Sequence, residues 1–160
     1  EDRNGDGQVV VQINNYQFIQ GEAAENADPN VVMAGVVKFT ADAQMGDSMI
    51  YITDKASFDT VTEQGNGFFV YLDDWTTPPD EGATDLDRVK IPWNDCAALA
   101  SMELDYETES MTQDELRSML FDDLSISLRS IEYGSFEEDE DMVAYYADSK
   151  ALLSRLVAGE

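Results

Sequence analysis

Along this chain, stretches in which apolar side chains recur every second residue alternate with stretches in which they recur every third or fourth. Residues 8–19, QVVVQINNYQFI, are rich in β-branched and aromatic types and follow the turn signal Asn4-Gly5-Asp6-Gly7, a combination that predicts a strand. The unbroken Val9-Val10-Val11 implies burial on both faces, as in a central parallel strand. A polar loop is expected over 20–27. Asp28-Pro29 then supplies an N-cap with proline at the first helical position, and Val32, Val36, Phe39 and Ala43 recur at helical spacing until Gly46. A second strand is predicted at 48–53, running into Asp54, which can cap a helix that reaches Glu63. Gly65 and Gly67 break that helix, and Phe68-Phe69-Val70-Tyr71-Leu72 forms a third short apolar strand. Strand, helix, strand, helix, strand in this rhythm implies right-handed crossovers and a mainly parallel sheet.

The second half is less regular. Residues 73–87 carry two prolines and many acids and read as a long surface loop. A short edge strand is expected at 88–92, and Trp93-Asn94-Asp95-Cys96 leads into a small apolar turn through Leu99 and Met102. Thr112 with Glu115 three residues on is a capping box for a helix reaching Phe121. Leu124, Ile126 and Leu128, with Ile131 and Tyr133 beyond, alternate as a half-buried strand would over 123–133. A last helix is predicted from Glu137 through Leu156, its acids at the positive end, Lys150 and Arg155 toward the negative end, and Gly159 as its stop. The expected architecture is a single three-layer α/β domain over residues 1–160, with a mostly parallel sheet of about five strands flanked by helices.

Composition changes this picture in one respect. A hydrophobic fraction of 43% is ordinary for a folded body, but 9 basic against 34 acidic residues leave a net charge of −25. Such a field repels phosphate backbones and anionic headgroups, so nucleic acid and membrane surfaces are excluded as partners, while cations and cationic surfaces are favoured. No stretch approaches the roughly 20 apolar residues of a membrane span. The chain opens on Glu1 without a leader, which suggests a processed or truncated piece of a longer product.

Histidine is absent, which removes the commonest general base and every imidazole triad. Cys96 has no cysteine to pair with and no histidine to activate it, and reads as a buried structural thiol. Residues 2–8, Asp-Arg-Asn-Gly-Asp-Gly-Gln, match the opening of a calcium loop, with oxygen ligands from Asp2, Asn4 and Asp6 and the carbonyl of Gln8. The twelfth position is Ile13 where an EF-hand needs glutamate. The alternatives are therefore a calcium loop that enters a strand, completed by a distant acid or water, and an Asn-Gly/Asp-Gly turn.

Asp54, Asp73 and Asp74 fall at the carboxyl ends of predicted parallel strands, where α/β sheets bind ligands. Trp75 and Trp93 flank the long loop and could form an aromatic platform for a sugar or peptide. Asp54, Asp73, Trp75 and Trp93 are thus the candidate ligand-binding set, beside the bland readings of helix cap, solvated loop and core tryptophan.

The segment from Asn4-Gly5-Asp6-Gly7 through Val9-Val10-Val11, the helix ending in Gly46-Asp47, the strand Met49-Ile50-Tyr51-Ile52-Thr53-Asp54 and the run from Gln64 to Asp73 resemble part of the first lobe of bacterial extracellular solute-binding proteins. That likeness spans under half the chain, and 160 residues leave no room for a second lobe. A closer likeness is to uncharacterised bacterial surface proteins with a single acidic α/β domain and a Trp-x-Asp-Cys element like Trp93-Asn94-Asp95-Cys96. These resemblances imply an extracellular or surface location, anchored by a segment outside this sequence. The resulting expectation is a non-enzymatic module that binds a small molecule or a protein. The alternatives are a calcium-stabilised structural spacer and a hydrolase that uses carboxylates at the strand ends.

Overall fold

In the computed structural model the described residues are 7, 12–19, 21–63, 67–73, 84–105 and 110–160. The chain divides into two compact units, Glu1–Asp42 and Ala43–Glu160. The first unit holds all but the last three residues of helix α2, Pro29–Met45, preceded by a short helix α1, Gly21–Asn26, where a loop was expected; residues 43–45 belong to the second unit. Asp28 caps α2 by accepting from the Asn30 amide at 2.8 Å, which satisfies one of the free N–H groups of the first turn.

The described part of the expected first strand, residues 12–19, enters no ladder. It packs on α2 instead. Tyr16 and Phe18 meet the buried Phe39 ring edge-on, with centroids 5.7 and 5.6 Å away, and Lys38 Nζ donates to the Asn15 carbonyl at 2.9 Å. Gly35 permits this approach, because a β-carbon there would collide with the Gln17 carbonyl. Mid-helix glycine costs about 1 kcal/mol against alanine, and the close crossing is its physical reason.

The second unit contains strand β1, Ile50–Asp54, helix α3, Lys55–Glu63, the two-residue strand β2, Ile91–Pro92, a short helix α4, Ala97–Ala100, helix α5, Gln113–Phe121, strand β3, Leu124–Leu128, and helix α6, Glu140–Ala158. The sheet is three-stranded, in the order β1-β3-β2, and every pairing is antiparallel. This corrects the expected five-stranded, mostly parallel sheet.

The reason lies in β3. Phe69 bridges Arg129 antiparallel, Val70 N–H donates to the Leu128 carbonyl at 3.0 Å and Ser130 N–H to the Phe68 carbonyl at 2.7 Å. Segment 68–70 therefore lies on the β2 side of β3. It runs in the same direction as β1, yet their backbones do not pair, because β3 is inserted between them and opposes both. The rhythm of strand, helix, strand is compatible with this split arrangement as well as with adjacent parallel strands.

Insertion also buries β3 on both faces, where a half-buried strand was expected. Ile126 and Leu128 pack with Met49, Leu72, Ile91, Trp93, Cys96 and Leu153 of α6. Ser125 and Ser127 point the other way, beside Thr53, whose hydroxyl lies 3.5 Å from that of Ser125. On that side Phe58 of α3 stacks on Phe69 at 5.8 Å, and Tyr51 meets Phe69 edge-on at 5.7 Å.

Arg129, just past β3, is fully buried. Its Nη2 donates to the carbonyls of Ala43 at 2.6 Å and Tyr133 at 2.8 Å. The rings of Phe136, Phe68 and Tyr133 surround the guanidinium with centroids 5.0, 5.8 and 5.9 Å from its carbon. Gly46 and Gly134, at φ +73° and +97°, wall the cage: a β-carbon at either would press on Arg129 and the Phe136 ring.

The helix caps form as the sequence predicts. Thr112 and Glu115 make both halves of the capping box and Gly159 ends α6 at φ +79°, whereas α6 begins at Glu140 rather than Glu137, because Asp139 caps it by accepting from Asp141 and Met142.

Replacing Arg129 by methionine keeps the bulk and removes the donor from the buried Ala43 carbonyl and the partly buried Tyr133 carbonyl. The expected loss in urea-induced unfolding of the second unit is about 2–5 kcal/mol, and an unchanged midpoint would show that the guanidinium does not hold this corner.

Candidate functional site

The register of β1 on β3 decides which of its backbone groups are used. Arg129 N–H donates to the Met49 carbonyl at 2.8 Å, so Met49 and Arg129 form a hydrogen-bonded pair. In an antiparallel ladder such pairs alternate. Tyr51 and Thr53 therefore face Ser127 and Ser125 with their amides and carbonyls, while those of Ile50 and Ile52 point outward. Among the described residues nothing pairs with this outer edge, since β1 ends the strand order. The side chain of Ile52 is 54% exposed there.

β1 runs into Asp54, which also caps α3: its Oδ1 accepts from the Ser57 amide at 2.7 Å. Asp54 pairs across the sheet with Leu124 and so lies beside Asp123, the residue before β3. Asp54, Lys55, Ala56, Asp59 and Asp123 line an open depression of about 340 Å³ at this end of the edge. Lys55 Nζ donates to Asp59 at 2.9 Å, and this bond, with the nearby charge of Asp59 and of Asp123, raises the lysine above its ordinary value. Three carboxylates face one ammonium, so the depression keeps a negative surplus suited to a basic side chain.

The other expected site residues are placed elsewhere. Asp73 accepts from Arg88 Nε at 3.0 and 3.2 Å and from Arg88 Nη2, and the same guanidinium lies 4.5 Å over the Tyr71 ring. Tyr71 in turn lines a separate depression of about 350 Å³ with Phe68, Phe69, Leu86 and Val89. Trp93 is buried and stacked on Phe121 at 4.8 Å. Asp74, Trp75 and the calcium-type set Asp2, Asn4, Asp6 and Gln8 lie outside the described residues. Of the described candidates, Asp54 alone lines the depression beside the β1 edge. The strand-end rule that singled out Asp54 and Asp73 belongs to parallel sheets, and this sheet is antiparallel. Lys55, Asp59 and Asp123 escaped sequence reading because Asp123 joins the cluster through the β1–β3 register.

The chain matches no family model, no curated protein and no solved structure. The likeness to solute-binding lobes and bacterial surface domains therefore rests on the residues quoted for it. Among the described residues no group of three or more Cys, Asp or Glu is arranged to hold a metal ion, and no helix is long and apolar enough to cross a membrane.

Outside the depression, the shifted acidities of Cys96 and Asp73 bear on reactivity and stability. Burial, with the charge of Asp95 beside it, pushes the Cys96 thiol up to about 11, so it stays protonated and inert at neutral pH. It is expected to resist a disulfide reagent in the native state and to react at once in urea, which a thiol titration reads directly.

The hydrogen bonds from Arg88 hold the Asp73 carboxyl below its ordinary 3.8. Because the folded value lies below the unfolded one, the pair adds stability above about pH 4 that is lost as pH falls through the folded value. The Asp73 side chain is 33% exposed, so salt screens the effect. Urea midpoints of wild type and Asp73→Asn should differ at neutral pH and converge in acid, with a smaller gap in high salt.

Proposed function

We propose that this chain is a non-enzymatic interaction module that captures an extended basic segment of a partner protein, adding it as a strand to the outer edge of β1. The observation that carries this reading is the edge itself: the backbone groups of Ile50 and Ile52 face away from β3, and Ile52 presents an exposed apolar side chain beside them. A strand laid along it gains main-chain hydrogen bonds, and its alternate side chains fall on one face. One side chain packs on Ile52, and a lysine or arginine reaches Asp54, Asp59 and Asp123 in the depression. The net charge of −25 draws such a segment in and repels acidic competitors. An extracellular or cell-surface setting belongs to the same proposal. It is supported by the acidity and by the resemblance to bacterial surface domains.

A hexapeptide alternating lysine and valine serves as probe, with its glutamate-valine counterpart as control. Calorimetry is expected to show binding of the first and none of the second. Hydrogen exchange should show new protection at the Ile50 and Ile52 amides. Ile52→Pro removes an outward N–H without touching the inner ladder, a substitution that edge strands tolerate, and should abolish binding while the thermal transition remains cooperative. Equal binding by Ile52→Pro, or protection confined to other segments, would rule out the edge.

A further inference from the structure

The outer edge of β1 differs between its two ends. Backbone alternation puts Ile50, Ile52 and Asp54 on one face, where Ile50 and Ile52 lie opposite the core residues Leu128 and Ile126. Ile50 is half-buried and packs against that core, as do Met142 and Tyr145 of α6. The Tyr145 hydroxyl donates to the Asp47 carbonyl at 3.2 Å, which ties α6 to the chain just before β1 begins. At the other end Asp54, Asp59 and Asp123 line the depression, with the Lys55 ammonium bonded to Asp59. Along the direction of β1, an apolar edge thus passes into an acidic end.

The backbone sets the direction of an added strand. In an antiparallel addition Ile50 and Ile52 each exchange both main-chain groups with the residue directly opposite, whereas parallel strands bond at a slant and pair slightly less stably. Parallel strands also belong to sheets covered on both faces, and Ile52 is 54% exposed at this edge. Every pairing of this sheet among the described residues is antiparallel.

An antiparallel neighbour meets the end of β1 with its own beginning. Its first residues therefore reach the carboxylates, and its later ones reach the isoleucines. Side chains directly opposite one another share a face, so the residues facing Ile52 and Ile50 are two positions apart. The residue facing Asp54 comes two positions before them, and the one facing Thr53 points to the side of α3, the helix that carries Asp59.

Resting on the reading of β1 as a capture edge, we propose that the captured segment lies antiparallel to β1 and carries its basic residues ahead of two alternate apolar ones. A segment with the same residues in the opposite order brings its cations to the Ile50 end and leaves the depression unfilled.

Two blocked hexapeptides of one composition test the order. One reads lysine-lysine-valine-threonine-valine-threonine, and the other is its reverse. Their charge is identical, and only a parallel seating lets the reverse peptide meet the isoleucines and the carboxylates together. Calorimetry is expected to show the first binding about fivefold more tightly, as a pair of exposed ion pairs would give. Asp59→Asn combined with Asp123→Asn should erase that preference. In magnetic resonance spectra of the complex, a nitroxide on the amino end of the first peptide should broaden the amides of Asp54 and Lys55, and one on its carboxyl end those of Ser48 and Met49. Equal or tighter binding of the reverse peptide, a preference that survives in the double variant, or exchanged nitroxide effects would overturn the order and leave the capture edge standing. If neither peptide binds, or if Ile52→Pro binds both as the wild type does, the edge and the order fall together.

Discussion

A guanidinium taken out of water costs several kcal/mol unless its N–H groups find acceptors, and Arg129 is wholly buried. Its position gives that cost a return in geometry. The backbone of Arg129 extends the β3 ladder to Met49 on one side and Phe69 on the other, while its side chain binds the end of α2 through Ala43 and the turn at Tyr133. The direction of β1, the placement of 68–70 and the entry into α6 are all referred to this one residue. In a chain with 9 cations and 34 acids, committing one cation to an aromatic cage leaves the surface still more negative.

The surface that results is uneven. Acids surround the open end of β1, where exposed backbone groups could otherwise pair with another chain, and charge is one way in which proteins restrain such edges. The same carboxylates that discourage a second acidic strand would welcome a basic one, so protection and selectivity share residues there. On α2 the distribution is reversed, with apolar side chains outside and the lone acid within.

What could be read from the sequence follows from range. Caps at Asp28, Asp54, Thr112 and Gly159 are decided by residues within one turn, and each forms as read. The sheet was illegible because the partner of β1 lies some seventy positions away in β3, and local rhythm cannot show an inserted strand. Ser125 and Ser127 look like a solvent face by polarity, but both are buried opposite Thr53 and Tyr51, which hides the two-sided burial. Of the site, Asp54 was visible from strand and cap signals. The open edge and the contribution of Asp123 needed the register, and the ion pair that occupies Asp73 needed the fold to bring Arg88 to it.

The insertion of β3 also dictates the order of events in folding. Among the described residues neither β1 nor segment 68–70 has a neighbour to pair with until residues 124–130 exist, so on a growing chain the pairing of β1 waits for some seventy further residues. Closure then joins segments far apart in sequence, the kind of contact that slows folding and leaves apolar strands open to misassociation meanwhile. A nascent chain bearing so many like charges repels its copies during that delay. Acidity thus acts as a kinetic safeguard for a topology whose central element arrives late.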